Sequence, residues 1–206
     1  MNSTPLPTLV DWAQRLVTPG RRTLLGLAGP PGAGKSTLAA QLCARLGSSA
    51  ARVPMDGFHL ANVVLRELGL SARKGSPASF DVGGFRALLV RLRANTEGVV
   101  YAPEFLREID EAVAGALPVA RDVPLIIVEG NYLLLDDGAW ADIAPLFDEI
   151  WYLRPEETLR RDRLLQRHRS YGRSAAAAEA WLAGNDDPNA RTIAATASRA
   201  HRIVTC

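Results

Sequence analysis

The stretch at positions 29–36, with the sequence GPPGAGKS, carries the clearest chemistry of the chain. It fits the pattern G-x-x-x-x-G-K-[ST] of a phosphate-binding P-loop. Glycines in such a turn let successive backbone N–H groups point into one concavity that binds phosphate oxygens. Lys35 is expected to reach the β- and γ-phosphates of a nucleotide, and the Ser36 hydroxyl to ligate Mg²⁺. The predicted nucleotide-binding residues are Gly29, Gly32, Ala33, Gly34, Lys35, Ser36 and Thr37.

The sequence around this stretch contains the elements that a P-loop needs. Thr23–Ala28 is a short apolar run typical of a buried strand, and positions 36–46 have leucines four residues apart, as on one face of a helix. The positive end of that helix dipole would face the same phosphates. The alternative, a chance match in a glycine-rich turn, does not account for the flanking strand and helix.

Two acidic residues come directly after runs that predict strands. Asp56 follows positions 51–55, and Glu129 follows the continuous apolar run at 123–128. At the carboxyl edge of a parallel sheet, Asp56 can accept a proton from an acceptor hydroxyl, and Glu129 can bind Mg²⁺ directly or through water. The alternatives are a helix N-cap for Asp56 and simple solvent exposure for Glu129.

Three basic side chains near this region have two interpretations each. His59, soon after Asp56, is either a substrate contact or a buried and hydrogen-bonded histidine. Arg73 and Lys74 lie in a turn-rich loop at 71–81, where they either hold an anionic group or are solvated. The chain has 24 basic residues, and Lys74 is one of only two lysines, which favours a specific role for it.

A predicted helix at 156–170 begins after a proline and carries a row of arginines. Arg160, Arg163 and Arg167 lie three and four residues apart, so they share one helix face. Clustered arginines of this kind clamp transferring phosphates in some proteins. In an arginine-rich chain they are equally consistent with an ordinary solvated face.

Composition and charge restrict the class of protein. The chain has 206 residues, 48% of them hydrophobic and 22% charged, with a net charge of +2. We therefore expect a single domain at 1–206, and neither nucleic acid nor a membrane as a partner. Cys43 and Cys206 form no metal or redox spacing, and the first residues do not resemble a signal peptide, so we expect a cytoplasmic protein. The oligomeric state stays open, a homodimer included.

The remaining pattern alternates helical and strand signals, which predicts an α/β fold with a parallel sheet and helices on both faces. An amphipathic helix ended by Pro19-Gly20 comes before the first strand. Alanine-rich helices are predicted at 174–182 and 189–199, with a break at Asp187-Pro188 between them, and a last strand at 202–205.

Beyond these patterns, several segments together resemble one known group of enzymes, the phosphoribulokinase, uridine kinase and pantothenate kinase superfamily of P-loop kinases. The resemblance extends from about Leu24 onward. Within the superfamily, the sequence looks most similar to the bacterial branch labelled nucleoside kinase-like or fructose transport system kinase. The matching segments are GPPGAGKS at 29–36, MDGFHL at 55–60, LRELGLSARKGSPASFD at 65–81, EGNYLLL at 129–135, RLLQRHRSYG at 163–172 and DDPNA at 186–190.

This resemblance implies a three-layer P-loop fold with a five-stranded parallel sheet and a helical lid at about 160–175. It implies that Mg-ATP binds on the P-loop, with Lys35 as the phosphate clamp, and with Ser36 and Glu129 around the metal. Asp56 would be the general base, and Arg163 and Arg167 would lead into the lid. The implied acceptor-side residues are His59, Arg73, Lys74, Arg107 and Tyr132, and Asn189 is implied near the nucleotide.

One position departs from the family pattern. Relatives in the bacterial branch usually have Phe-Asp-Arg where this chain has Phe105-Leu106-Arg107. A carboxylate that binds an acceptor hydroxyl cannot be replaced by leucine. The acceptor therefore differs, or a nearby acid such as Glu104 or Glu108 substitutes, or activity has been lost.

The sequence favours an ATP-dependent kinase that phosphorylates a hydroxyl of a small molecule, such as a sugar, a nucleoside or a pantothenate-like compound. The alternative is a nucleotide-binding regulator or an inactive relative, which Leu106 favours and the intact Lys35, Asp56 and Glu129 oppose. A GTPase switch is disfavoured because neither lysine follows an asparagine, so the Asn-Lys-x-Asp element is missing.

Overall fold

Five strands pair in parallel at the centre of the computed structural model, which describes residues 3–18 and 20–205. Numbered in chain order, they are β1 Thr23–Ala28, β2 Ala50–Pro54, β5 Leu125–Gly130, β6 Glu149–Arg154 and β7 Arg202–Thr205. Their spatial order is β2-β5-β1-β6-β7. The predicted α/β fold with a five-stranded parallel sheet is confirmed.

The register of the sheet brings the chemically interesting residues to one edge. Leu27 is paired with Glu129 across β1 and β5, and Pro54 is paired with Glu129 across β2 and β5. The P-loop starts directly after β1, and Asp56 comes two residues after β2. Because parallel strands end at the same edge, the P-loop, Asp56 and Glu129 meet there.

Helices cover both faces of the sheet. They are α1 Leu6–Arg15, α2 Lys35–Leu46, α3 Asn62–Glu67, α4 Val82–Ala94, α5 Glu157–Ser170, α6 Ala175–Trp181 and α7 Asp187–Ala194. One apolar cluster joins α1 and α2 to alternate residues of the strands, such as Leu25 and Ile127. A second cluster joins α4 and α7 to the intervening residues, such as Leu24 and Ile126. The two clusters are the two cores of a three-layer fold.

An antiparallel hairpin lies apart from the main sheet. It consists of β3 Val99–Leu106 and β4 Glu111–Ala120, and its register shifts between Ala102 and Glu104. From sequence alone, positions 98–103 indicate only a short strand or a hairpin arm. The strand β3 extends to Leu106 because pairs such as Phe105 with Ala112 continue the ladder. The residues around position 103 do not predict this pairing, because the partners come from β4.

The predicted break at Asp187-Pro188 is wrong. After α6, the chain winds through one π-helical turn, Leu182–Asp186, and continues directly into α7. Pro188 lies in the first turn of α7, where the missing N–H of proline has no helical partner to lose. The helix also ends at Ala194 and does not reach position 199.

Two predictions fall outside the residues that the structure describes: Pro19 as the end of the first helix, and Cys206. The first helix itself is confirmed and ends at Arg15. Within 3–18 and 20–205, no helix has the length and apolar character needed to cross a bilayer.

Candidate active site

A cleft of about 740 Å³ opens at the carboxyl edge of the sheet. Its walls come from the P-loop, from the turn after β2, from the hairpin and from the helices α5 to α7. Among its lining residues are Gly32, Gly34, Lys35, Ser36, Thr37, Asp56, His59, Lys74, Arg107, Glu129, Arg163 and Arg167. Most of the predicted site residues therefore lie around one cavity.

The P-loop adopts a turn that only glycine accommodates easily. Gly32 has φ +82° and Gly34 has φ +88°, both in the left-handed region. A Cβ at Gly32 would lie 2.8 Å from the carbonyl oxygen of Arg160, so this glycine also allows helix α5 to approach. Helix α2 begins at Lys35, so its unpaired N–H groups face the cleft.

Two of the predicted P-loop residues do not line the cleft. Gly29 is buried, and its carbonyl oxygen accepts a hydrogen bond from Lys35. Ala33 packs its side chain into the apolar core, and its N–H donates to the carbonyl oxygen of Pro30. In this structure both residues shape the loop, and their contact with a nucleotide stays a prediction.

Lys35 is nearly buried, with 8% of its surface exposed. Its Nζ donates to the carbonyl oxygens of Gly29 and Pro30, at 2.9 and 3.0 Å, and to Oδ1 of Asn131 at 2.7 Å. Burial lowers the pKa of Lys35 to about 8, although Glu129 and Asp56 oppose this shift. The amide of Asn131 was missed by sequence analysis, because only the fold brings β5 next to the P-loop.

Asp56 directs its carboxylate into the cleft. Oδ2 accepts one hydrogen bond of 3.3 Å from Nη2 of Arg107. Burial tends to raise the pKa of Asp56, but His59, Arg107 and Lys35 together hold it below its usual value, so the carboxyl is ionised at neutral pH. The alternative role as an N-cap is not observed, because the backbone N–H of Asn62 at the start of α3 donates to Glu111 instead.

Glu129 is almost completely buried beside Asp56, with 5% of its surface exposed. Nη1 of Arg52 lies 3.5 Å from its Oε1. Burial and the negative charge of Asp56 raise the pKa of Glu129, whereas Lys35 and Arg52 oppose the shift. Solvent exposure, the alternative for this residue, is therefore excluded.

The arginines of α5 do not act as one group. Arg160 is 1% exposed, and its guanidinium contacts Glu157, Asp187 and the carbonyl oxygen of Pro31. It therefore joins α5, α7 and the P-loop. Arg163 and Arg167 line the cleft instead, and Nη1 of Arg163 lies 3.5 Å from the carbonyl oxygen of Gly32.

The side of the cleft opposite the P-loop is formed by six residues that we call the hairpin wall: His59, Asn62, Lys74, Phe105, Arg107 and Asp110. His59 Nδ1 donates to the carbonyl oxygen of Asp56 at 2.8 Å, and its ring packs between Phe80 and Phe105. Burial lowers the pKa of His59, so the imidazole is neutral at neutral pH and Nε2 is an acceptor.

Two predicted acceptor contacts are not supported. Arg73 is exposed and does not line the cleft. Tyr132 is 1% exposed and lies in the core beside Phe80 and Trp140, where its hydroxyl donates to the carbonyl oxygen of Gly75 at 2.6 Å. The ring of Tyr132 therefore packs in the core, and its hydroxyl holds the loop at 71–81 through Gly75.

Comparisons with known proteins agree with this geometry. No family model matches the chain. A Silicibacter structure, provisionally named a fructose transport system kinase, has a TM-score of 0.88 and 38% identity over 97% of this chain and 98% of its own. The uncharacterised YggC of Escherichia coli is 37% identical over 198 residues, or 93% of this chain and 81% of that protein.

A Schizosaccharomyces pombe protein, whose name assigns it provisionally to the uridine kinases, is 36% identical over 184 residues. The match covers 84% of this chain and 77% of that protein. The chain belongs to the phosphoribulokinase, uridine kinase and pantothenate kinase superfamily of P-loop kinases. Membership supports ATP-dependent phosphorylation of a small molecule as the general activity.

In this P-loop kinase, the donors at the sheet edge fit a magnesium ion. Two carboxylates, Asp56 and Glu129, lie near the exposed Ser36 hydroxyl, and the charge of one raises the pKa of the other. A divalent cation would relieve that repulsion. No group of three or more His, Cys, Asp or Glu residues forms a metal site in the described part of the chain. Mg²⁺ needs no such group, because substrate phosphates and water supply most of its ligands.

Leu106 does not line the cleft of this kinase. Successive strand residues face opposite sides, so Phe105 and Arg107 face the cavity while Leu106 is half-buried and lies opposite Glu111 of β4. The carboxyl of Glu104, one candidate substitute, is held by Nη2 of Arg52 at 2.7 Å.

Two asparagines after α6 also line the cleft, and Asn185 was missed by sequence analysis. Asn185 Nδ2 donates to the carbonyl oxygen of Lys74 at 2.8 Å, and Asn189 Nδ2 lies 3.4 Å from that of Gly75. Both amides therefore contact the loop at 71–81, and the implied place of Asn189 near the nucleotide stays a prediction. The neighbouring Asp186 bonds Nε2 of His168 on α5 at 2.7 Å.

Proposed function

We propose that the protein is an ATP-dependent kinase that transfers the γ-phosphoryl group of Mg-ATP to a hydroxyl of a small molecule. Sugars, nucleosides and pantothenate-like compounds are all candidate acceptors. The proposal depends most on one observation. The ionised carboxylate of Asp56 lies in the same cleft as the buried Lys35 of the P-loop, in a chain of the P-loop kinase superfamily.

Asp56 is the group that would orient and deprotonate the acceptor. Its lowered pKa keeps the carboxylate ionised, so it is always ready to accept a hydrogen bond from a hydroxyl. As phosphoryl transfer proceeds, the hydroxyl proton passes to Asp56 and the oxygen attacks the γ-phosphorus in line. The bond from the γ-phosphorus to the β–γ bridging oxygen breaks, and ADP is the leaving group. Arg107, which already contacts Asp56, holds the carboxylate in position.

The P-loop and α5 would balance the charge of the nucleotide. The backbone N–H groups at the start of α2 and the ammonium of Lys35 bind the β- and γ-phosphates. Arg163 and Arg167 line the same cleft and would approach the transferring group when the lid closes. Ser36 and Glu129 would hold Mg²⁺, which neutralises phosphate charge when bound. Closure also excludes water, which would otherwise hydrolyse ATP.

The test measures ADP release from Mg-ATP against uridine, cytidine, fructose, other sugars, ribulose 5-phosphate and pantothenate. Asp56→Asn removes the base with little change of shape, so we expect acceptor-dependent turnover to fall by about 10²- to 10⁴-fold. Binding of ATP should persist, because Asp56 is not part of the P-loop. Asp11→Asn, an exposed substitution on α1, is the matched control and should retain full turnover.

A regulator that binds ATP without phosphorylating an acceptor is the competing function. Tight ATP binding with no acceptor-dependent turnover across the panel would support it and contradict the kinase proposal. The argument for a regulator from Leu106 is weakened, because the side chain at this position does not face the cleft.

A further inference from the structure

The guanidinium of Arg107 has more hydrogen-bonding capacity than its surroundings use. It donates one hydrogen bond of 3.3 Å to Asp56 and lies 5.8 Å from the centre of the Phe105 ring. Within the described ranges it has no other hydrogen bond. Guanidinium carries five N–H donors, so most of them face the cleft unpaired. About two fifths of the side chain is exposed there, at 38%.

The other charges of the hairpin wall cancel within the wall. Lys74 Nζ uses its three donors on Asn62 Oδ1 at 2.7 Å, on the carbonyl oxygen of Asp110 at 2.6 Å and on Asp110 Oδ2 at 2.8 Å. Asp110 is the only carboxylate of the wall, and Lys74 neutralises it. His59 is neutral. Arg107 therefore supplies the one charge of the wall that has no counter-ion within it.

Asp56 alone does not satisfy this charge. Its single carboxylate is shared by Arg107, Lys35 and Arg167, all of which lie close enough to influence its pKa. Arg107 and Arg167 repel each other, which contributes to lowering the pKa of Arg167 after the larger effect of burial. The flanking Leu106 brings no further carboxylate, and Glu104 is bonded to Arg52. This side of the cleft has an excess of positive charge.

We propose that the acceptor carries a carboxylate or phosphate group in addition to the hydroxyl that receives the phosphoryl group, and that Arg107 binds this anion. The inference rests on the proposed kinase function. Guanidinium binds both kinds of anion through paired N–H donors. Because the same guanidinium contacts Asp56, the anion would lie on the same side of the cleft as the carboxylate that orients the reacting hydroxyl.

A neutral polyol suits this wall less well. Its hydroxyl groups need hydrogen-bond acceptors as well as donors, whereas the guanidinium of Arg107 offers donors only. A neutral ligand would also leave the remaining N–H donors of Arg107 with no charged partner other than Asp56 among the described residues. The charge of Arg107 therefore discriminates between acceptors of similar shape.

The experiment uses matched pairs that differ only in the anionic group: glycerate and glycerol, pantothenate and panthenol, ribulose 5-phosphate and ribulose. Calorimetry measures each affinity for the full chain saturated with Mg²⁺ and a non-hydrolysable ATP analogue. We expect at least one anion to bind tenfold or more tightly than its neutral partner. The glycerate and pantothenate pairs test for recognition of a carboxylate, and the ribulose 5-phosphate pair tests for recognition of a phosphate.

Arg107→Met keeps length and removes the charge. We expect it to weaken binding of the preferred anion at least tenfold, and to weaken the neutral partner clearly less, because the neutral partner loses only the positioning of Asp56. The affinity for ATP should be unchanged. Arg66→Met, an exposed change on α3, is the matched control and should alter none of these affinities. A circular dichroism spectrum and melting curve for each variant verify that it folds.

Equal or tighter binding of the neutral partners, or no binding of any anion, would overturn the inference. So would an Arg107→Met variant that loses ATP affinity instead, since Arg107 would then serve the nucleotide. If only neutral acceptors are phosphorylated, the kinase proposal holds and the proposal of an anionic acceptor is wrong. If an anion binds but is not phosphorylated, the anion site exists and the kinase proposal is wrong.

Discussion

Nζ of Lys35 donates a hydrogen bond of 2.7 Å to Oδ1 of Asn131, the residue directly after β5. Together with two P-loop carbonyl oxygens, this amide occupies all three donors of the ammonium. Nucleotide phosphates therefore compete with Asn131 for Lys35. The strength of that competition sets part of the affinity for ATP.

Changing the charge at position 131 tests this competition. Asn131→Asp replaces the neutral amide that accepts from the Lys35 ammonium with a carboxylate. Phosphate must then displace an ion pair, so we expect the Kd for Mg-ATP to rise about tenfold. Asn131→Ala removes the competitor, so its Kd should be equal to or below that of the wild type. Titration calorimetry gives both values. If Asn131→Ala weakened binding as much as Asn131→Asp, the amide would be a nucleotide contact instead.

The affinity for Mg-ATP should fall at alkaline pH. The pKa of Lys35 is lowered to about 8 in the free protein, so the ammonium is charged below this pH and neutral above it. Bound phosphate favours the charged form, which means that binding above pH 8 requires uptake of a proton. The Kd should be nearly constant below about pH 7, be roughly doubled at about pH 8, and rise toward about tenfold per unit above about pH 9. Lys35→Met should bind weakly with no such slope, and a slope retained in this variant would assign the proton to another group.

Removing the amide of Asn185 should loosen the loop at 71–81, which supplies Lys74 to the hairpin wall. Its Nδ2 holds the carbonyl oxygen of Lys74 at 2.8 Å, so Asn185→Ala loses a hydrogen bond worth about 1 kcal/mol. We expect faster amide hydrogen exchange at 71–81 and an acceptor KM raised roughly fivefold, with the Kd for ATP unchanged. Tyr132→Phe removes the adjacent bond to Gly75 and should act in the same direction. Unaltered exchange in both variants would show that the loop is held by other contacts.

Alanine substitutions at two glycines with positive φ, Gly69 and Gly32, distinguish the cost of backbone strain from the cost of a steric clash. Gly69, at φ +68°, has open space around its missing Cβ, so Gly69→Ala should cost about 1 to 2 kcal/mol of unfolding free energy from φ alone. At Gly32 a Cβ would also meet the backbone of Arg160 at 2.8 Å, so Gly32→Ala should cost about 1 to 3 kcal/mol more. Urea unfolding measures both. Equal losses would mean that α5 moves aside freely.

The fold and the central site residues were predictable because their signals are local. The P-loop is a contiguous motif, and the runs ending at Asp56 and Glu129 predict strands by themselves. Parallel strands then bring these ends to one edge whatever the rest of the chain does. The identity of such residues can be read from a few neighbours in sequence.

The remaining site residues depend on partners distant in sequence. Arg160 resembles Arg163 and Arg167 in spacing, but it is buried because Asp187, 27 positions away, and Pro31, 129 positions away, come to meet it. Asn185 likewise bonds a carbonyl 111 positions away. The length of β3 depends on its pairing with β4. None of these contacts has a signal in the surrounding residues.

The hairpin of β3 and β4 shares no strand pairing with the central sheet, yet it supplies Phe105 and Arg107 to the cleft. Substitutions in it can change the charge and shape offered to an acceptor while the pairing that holds the P-loop, Asp56 and Glu129 stays intact. If the proposed function holds, a lineage of such proteins would exchange one acceptor for another by small steps in the hairpin, without changing the residues that bind ATP.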